Sequence, residues 1–333
     1  MNTKRIIKIS FPFILLAGIY FLGPEPEKPV YSTVMPVVPS SPTDLENFIK
    51  SKESLHKIKP DNEARIVWKD STKSKTEYAV VYLHGFSASQ KEGDPVHLRF
   101  AKEFGCNMYL ARLADHGVDT TEQLLLYTAD RSWESAKQAL AIGKQLGNKV
   151  ILMSTSTGGT LALMLAAQYP DDVYALISMS PNIAINNPAA FLLNNPWGLY
   201  IVRMVFDSKY SNDTSASEEK SKFWNTKYRL ESTTQLEQLL EDNMNEKTFS
   251  KIKQPSLILY YYKNEQEQDP EVKVSAMLEM NKMLTTPDSL KVEVAIPTTG
   301  AHVLASPIVS KDVESVYSEI EKFAIQKLKL TKQ

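Results

Sequence analysis

Cysteine is almost absent from this chain: Cys106 stands alone among 333 residues. No internal disulfide and no cysteine-based zinc cluster can form. A charge of one sign is missing too. Lys and Arg number 38 against 39 Asp and Glu, for a formal charge of -1, and no dense basic cluster breaks the balance. Nucleic-acid binding needs a broad positive field and is excluded on that ground. Glycine (12) and proline (18) are too few for collagen-like or low-complexity chains. The five histidines include no H-E-x-x-H pattern, so neither a metal nor another cofactor is implied. What is present is a 43% share of hydrophobic residues, enough for the core of one large α/β domain or two small ones.

The N-terminal region stands apart in composition. Lys4, Arg5 and Lys8 precede an apolar run from Ile9 to Gly23, broken only by Ser10 and Pro12. A basic start before such a run reads as a membrane anchor or a signal peptide over residues 1–23, with a buried helix as the remaining option. No A-x-A-like cleavage site follows. With the basic end kept in the cytoplasm, the remaining chain is expected on the extracytoplasmic side, periplasmic or extracellular, membrane-held or secreted after cleavage. Residues 24–42 carry Pro24, Pro26, Pro29, Pro36, Pro39 and Pro42 and read as a semi-rigid linker. Ser41 is placed to cap a helix that begins at Pro42, with Asp44 as its capping acid and Leu45, Phe48 and Ile49 on one face. One domain is expected over residues 43–333.

Within that domain, β-rich apolar runs recur at Ala64–Trp68, Tyr78–Leu83, Asn107–Ala111, Lys149–Met153, Tyr174–Met179, Ser256–Tyr262 and Lys291–Ile296. Helical patterns separate them, such as Trp133, Ala136, Leu140, Gly143 and Leu146. The last helical stripe is Val313, Val316, Tyr317, Ile320, Phe323 and Leu328. Such alternation implies a mostly parallel sheet covered by helices on both faces. Between Pro181 and Gln254 no clear strand is visible, and a structureless loop of that length is improbable. The stretch at about 182–253 is therefore expected to be an inserted helical cap.

Ser154-Thr155-Ser156-Thr157-Gly158-Gly159 follows the run ending at Met153 and opens an alanine- and leucine-rich helix. A strand, a sharp turn of small residues and an immediate helix form the setting of a nucleophile elbow, with Ser156 as the nucleophile and Ser154 in place of the first glycine. After the earlier strand comes Leu83-His84-Gly85-Phe86-Ser87. In sites of this kind, an H-G element supplies one oxyanion N–H and the residue after the nucleophile supplies the other, here Phe86 and Thr157. The base must follow Ser156 in chain order, and of the five histidines only His302 does. The acid is expected after the Ser256–Tyr262 strand. Asp269 is the choice there, with Glu265 and Glu267 as alternatives.

These pieces, together with Arg112-Leu113-Ala114-Asp115-His116-Gly117 and Gly300-Ala301-His302, resemble the α/β-hydrolase superfamily from about Ala64 to Lys327. The resemblance is to its carboxylesterase and monoacylglycerol-lipase-like branch, grouped with serine aminopeptidase S33-type hydrolases. It implies an eight-stranded, mostly parallel sheet flanked by helices, with the cap inserted after the sixth strand. It also implies Ser156 as nucleophile, Asp269 as acid, His302 as base and the Phe86 and Thr157 amides as oxyanion donors. Asp115 stands where glycine is more usual. Thr157 stands where proline-specific aminopeptidases of this fold carry Trp. The activity so implied is acyl-enzyme hydrolysis of small or lipid-like carboxylic esters, with Phe191, Leu192, Leu193, Trp197 and Trp224 of the cap favouring an apolar acyl group. The remaining alternatives are an acyltransferase or a peptidase on the same triad, or a non-catalytic binding protein that keeps the fold.

Overall fold

Continuous runs of Val, Ile, Leu and Tyr can be buried on both faces, and such runs form the centre of this molecule. The computed structural model describes residues 18–333. Its strands are β1 (Arg65–Val67), β2 (Thr76–Leu83), β3 (Asn107–Leu110), β4 (Gly147–Thr155), β5 (Ala175–Met179), β6 (Tyr210–Asn212), β7 (Lys227–Arg229), β8 (Ser256–Tyr260) and β9 (Lys291–Ala295). Seven make one sheet in the order β1-β3-β2-β4-β5-β8-β9. Only β1 runs antiparallel, with Arg65 opposite Leu110. All seven correspond to β-rich runs visible in the sequence. The expected eighth strand is absent from the described residues.

Alternation along β2 shows how the two layers arise. Ala79, Val81 and Leu83 enter one core, while Val80 and Tyr82 enter the other, as the two-residue period of a strand requires. The first core is covered by α3 (Ala129–Leu146) and α4 (Thr157–Gln168), with α9 (Val274–Met283) contributing Met277 and Met280. The second is covered by α2 (Val96–Glu103) and α10 (Val313–Gln326), through Phe100, Val316, Ile320 and Phe323. Cys106 is buried in the second core, and burial pushes its thiol up to about 12. It packs there as a small hydrophobe.

Helix α1 (Pro42–Glu53) begins as its sequence dictates: Ser41 accepts the Asp44 N–H and donates to the Asp44 carboxylate at 2.6 Å, and Leu45 and Ile49 are buried. Its last residue, Glu53, accepts two bonds from Arg112, at 2.8 and 2.9 Å. Arg112 thereby fixes the loop after β3, where Asp115 adopts φ 65° and pairs with Arg131. A left-handed φ explains the usual preference for glycine at that position, and aspartate is among the side chains that tolerate it.

The proline-rich stretch is laid against the domain. Trp133 Nε1 donates to Ser32 O, Lys137 Nζ to Val34 O and Tyr169 Oη to Thr33 O. Tyr31, Met35 and Val38 pack on the first core. No helix among the described residues is long and apolar enough to cross a membrane. Most of the apolar run assigned above to an anchor or signal peptide, and all of its basic flank, lie outside the described residues.

The stretch between β5 and β8 carries α5 (Gly198–Phe206), α6 (Glu218–Phe223), α7 (Glu231–Asn243) and α8 (Glu246–Phe249). It also contains β6 and β7, which pair antiparallel with Tyr210 opposite Arg229. Strand structure was not expected here. Two three-residue strands are too short to show a period of two, and their residues are mainly polar.

Candidate active site

The chain leaves β2 towards β3 on one side of the sheet and leaves β4 towards β5 on the other. Loops at such a divergence enclose a crevice above the carboxyl ends of the strands, where open α/β sheets bind ligands. The H-G loop follows β2, and the Ser156 turn follows β4.

Ser156 has φ 53° and ψ −122°, a conformation costly for a residue with a Cβ and stable only when its surroundings enforce it. Here its N–H donates to Met179 O at 3.0 Å, and its carbonyl accepts the Gly159 and Asn182 N–H groups at 2.8 and 2.9 Å. A Cβ on Gly158 would lie 2.0 Å from Leu83 O, so only glycine lets α4 come this close to β2. Ser154 occupies the first glycine position without disturbance because it faces another small residue: it is opposite Ser178 on β5, and the two hydroxyls are 3.4 Å apart.

His302 follows Gly300, whose φ of 64° turns the loop after β9. Its Nδ1 lies 2.8 Å from Asp269 Oδ2. Asp269 is fully buried, and its other oxygen accepts the Glu271 and Val272 N–H groups at 2.9 and 3.1 Å. Burial disfavours the Asp269 charge, but His302 and these two amides outweigh it and hold the carboxyl below its ordinary range. Burial likewise disfavours a charged His302. The Asp269 carboxylate, with Glu92 and Glu271, prevails and raises the imidazole. Glu265 and Glu267 remain on the exposed part of the same loop, bonded to Tyr262 and Lys263.

Ser156, Thr157, Phe86 and His302 all line one cavity of about 770 Å³. No hydrogen bond joins Ser156 to His302, and His302 Nε2 has no partner among the described residues. The Phe86 and Thr157 amides have no acceptor there either. Leu192, Leu193 and Trp224 line the cavity, as expected of the cap. Phe191 and Trp197 do not. Phe191 projects outward from the turn at Ala190–Leu192 and is 53% exposed, and Trp197 donates its indole N–H to Ile19 O. Their places are taken by Ile201, Val202, Val205 and Phe206 of α5 and by Leu230 and Leu236. Three acidic residues on the cavity wall, Glu92, Asp213 and Glu271, have no role in the sequence reading. All sit in polar segments that read as solvated; only Glu92 is buried, and nothing local marks it so.

A seven-stranded sheet of this order, with a strained serine between strand and helix and a carboxylate–imidazole pair over its edge, defines an α/β hydrolase. The family described as serine aminopeptidase, S33, matches residues 74–280, and the chain belongs to it. No curated protein matches the sequence. Solved structures share the fold at low identity. One, described with the metagenome-derived lipolytic enzymes LipS and LipT, has 15% identity and a TM-score of 0.61, covering 80% of this chain and 98% of its own. The monoacylglycerol lipase of Paleococcus ferrophilus has 15% identity and a TM-score of 0.57, with 79% and 97% covered. A soluble variant of the Saccharomyces cerevisiae monoglyceride lipase has 11% identity and a TM-score of 0.57, with 78% and 90% covered.

Proposed function

We propose that this hydrolase cleaves carboxylic esters with an apolar acyl group, through an acyl-enzyme on Ser156. The observation that carries the reading is the constellation at one cavity: a serine at φ 53° facing the same space as an imidazole whose far nitrogen is bonded to a buried carboxylate. In the first step His302 Nε2 accepts the Ser156 proton as Oγ attacks the ester carbonyl carbon. Negative charge gathers on the carbonyl oxygen, where the Phe86 and Thr157 N–H groups stabilise it without reorganisation. The alcohol leaves with the proton held by His302. Water, deprotonated by the same imidazole, then attacks the acyl-enzyme and releases the acid. Asp269 keeps the proton of neutral His302 on Nδ1 and stabilises the imidazolium.

The apolar lining supplied by Leu192, Leu193, Ile201, Val202, Val205 and Phe206 suits a hydrocarbon chain. Lipolytic activity in the names of the fold relatives is in keeping with that choice. A fluorophosphonate probe tests the nucleophile: labelling is expected for the wild-type protein and lost in Ser156→Ala. A p-nitrophenyl ester series is expected to give kcat/KM rising with acyl length from acetate, whereas faster cleavage of aminoacyl-p-nitroanilides would favour a peptidase. An unlabelled wild-type protein would defeat the acyl-enzyme reading.

A further inference from the structure

Glu92 lies in a tight 3₁₀ turn, Gln90–Gly93, after the H-G loop. An acidic residue in such a turn is ordinarily solvated, yet Glu92 is 2% exposed and lines the reaction cavity. Its neighbours Lys91 and Asp94 pair with each other, leaving Glu92 without an ion pair among the described residues. Its Oε2 accepts the Gly85 N–H at 2.6 Å. A Cβ on Gly85 would come within 2.9 Å of both Glu92 Oε1 and Ser156 Cβ. The glutamate and the serine therefore flank a single glycine, one residue before the Phe86 amide.

We propose that Glu92 is a positioning residue of this site: it holds the Gly85 N–H so that the next N–H, of Phe86, is presented to the cavity, and its carboxyl group shares that cavity with the His302 imidazole. The consequence for turnover rests on the acyl-enzyme reading above. The hydrogen bond alone does not call for a carboxylate, since a glutamine oxygen could accept the same N–H at a smaller desolvation cost. What a carboxylate adds is charge, and the imidazole across the cavity feels it. Burial outweighs the Gly85 N–H and His302 and leaves the Glu92 carboxyl raised to about 7, so its charge is gained as pH rises through that value.

Other titratable neighbours have partners of their own: His84 Nδ1 is bonded to Gly85 O at 2.9 Å, and burial holds the ring neutral. Tyr82 on β2 is bonded to Thr155, and His97 on α2 is bonded to Gln90 O and held neutral by burial. Lys220, on the cap side of the cavity, is paired with Asp213. Asp269 and Glu271 also act on His302, but Glu92 is the one acid of the three that also holds the H-G loop.

The test compares wild type with Glu92→Gln and Glu92→Ala, following the His302 ring by NMR titration and ester hydrolysis against pH. In Glu92→Gln the acceptor survives and the charge goes. Its His302 titration and the acid limb of kcat/KM are expected to move down by about half a pH unit or more, with kcat within about threefold of wild type. In Glu92→Ala the peptide is released, and kcat is expected to fall about tenfold or more with KM little changed. An unmoved His302 titration in Glu92→Gln would overturn the proposal, as would equal kcat in the two variants. A wild-type protein inert to the fluorophosphonate probe would sink the acyl-enzyme reading instead, and the NMR titration would still decide whether Glu92 governs His302.

Discussion

Two oxygens of Asp269 do different work. One is held by the Glu271 and Val272 amides, and the other faces His302 Nδ1. The side chain is thus fixed before the imidazole is considered, and the imidazole inherits that orientation. Asp269→Asn is expected to lower kcat by about 10³–10⁴-fold while Glu265→Gln and Glu267→Gln stay near wild type. Loss of activity in Glu265→Gln with a functional Asp269→Asn would reverse the assignment. The pH dependence has a definite sign. As the proposed base, His302 would act only when neutral, and Asp269, Glu92 and Glu271 raise its pKa against the effect of burial. Activity is therefore expected to decline as pH falls through a midpoint above the ordinary imidazole value of about 6.5. An acid limb centred well below that value would contradict the ion-pair geometry.

Among the elements, the segment at residues 24–38 changes character most between sequence and structure. The proline content predicts a spacer, which describes its extended backbone but not its contacts. Through Trp133, Lys137 and Tyr169 it is bonded to α3 and to the residue that caps the end of α4. Through Tyr31 and Gln235 it is also bonded to α7 of the cap, by Tyr31 Oη to Asp242 and Gln235 Nε2 to Glu27 O. The segment covers Lys137, whose side chain is 0% exposed. Removing residues 1–40 is expected to cost about 2–4 kcal/mol, from lost burial of Tyr31, Met35 and Val38 and from unpaired donors beneath them. Denaturant unfolding of the shortened and full-length proteins measures this, and equal midpoints would mean that the contacts contribute nothing to stability.

For the whole molecule, we propose that residues 1–23 hold the hydrolase to a membrane, with the domain on the extracytoplasmic side. Support comes from the sequence, where Lys4, Arg5 and Lys8 stand before the apolar run. The full chain is expected to stay with membranes through alkaline carbonate extraction, and a chain lacking residues 1–23 to be released. Release of both would remove the anchor. Exposed Phe191, Tyr200, Met204 and Val205 lie on the cap, in or beside the segments that line the cavity.

Sequence by itself determined the seven strands, the capped start of α1, the serine elbow and the histidine that follows it. Each is written locally, as a period of two or 3.6, a capping residue or a turn of small side chains. Tertiary structure decided what depends on which loops converge. It brought Asp269 rather than Glu265 or Glu267 to His302, although all three stand within five residues of one another. It buried Glu92 beside Ser156, and it turned Phe191 and Trp197 away from a cavity that Ile201 and Val202 line instead. A loop sequence specifies which chemical groups it carries. Their direction and burial are fixed only by the strands and helices that arrive from elsewhere in the chain.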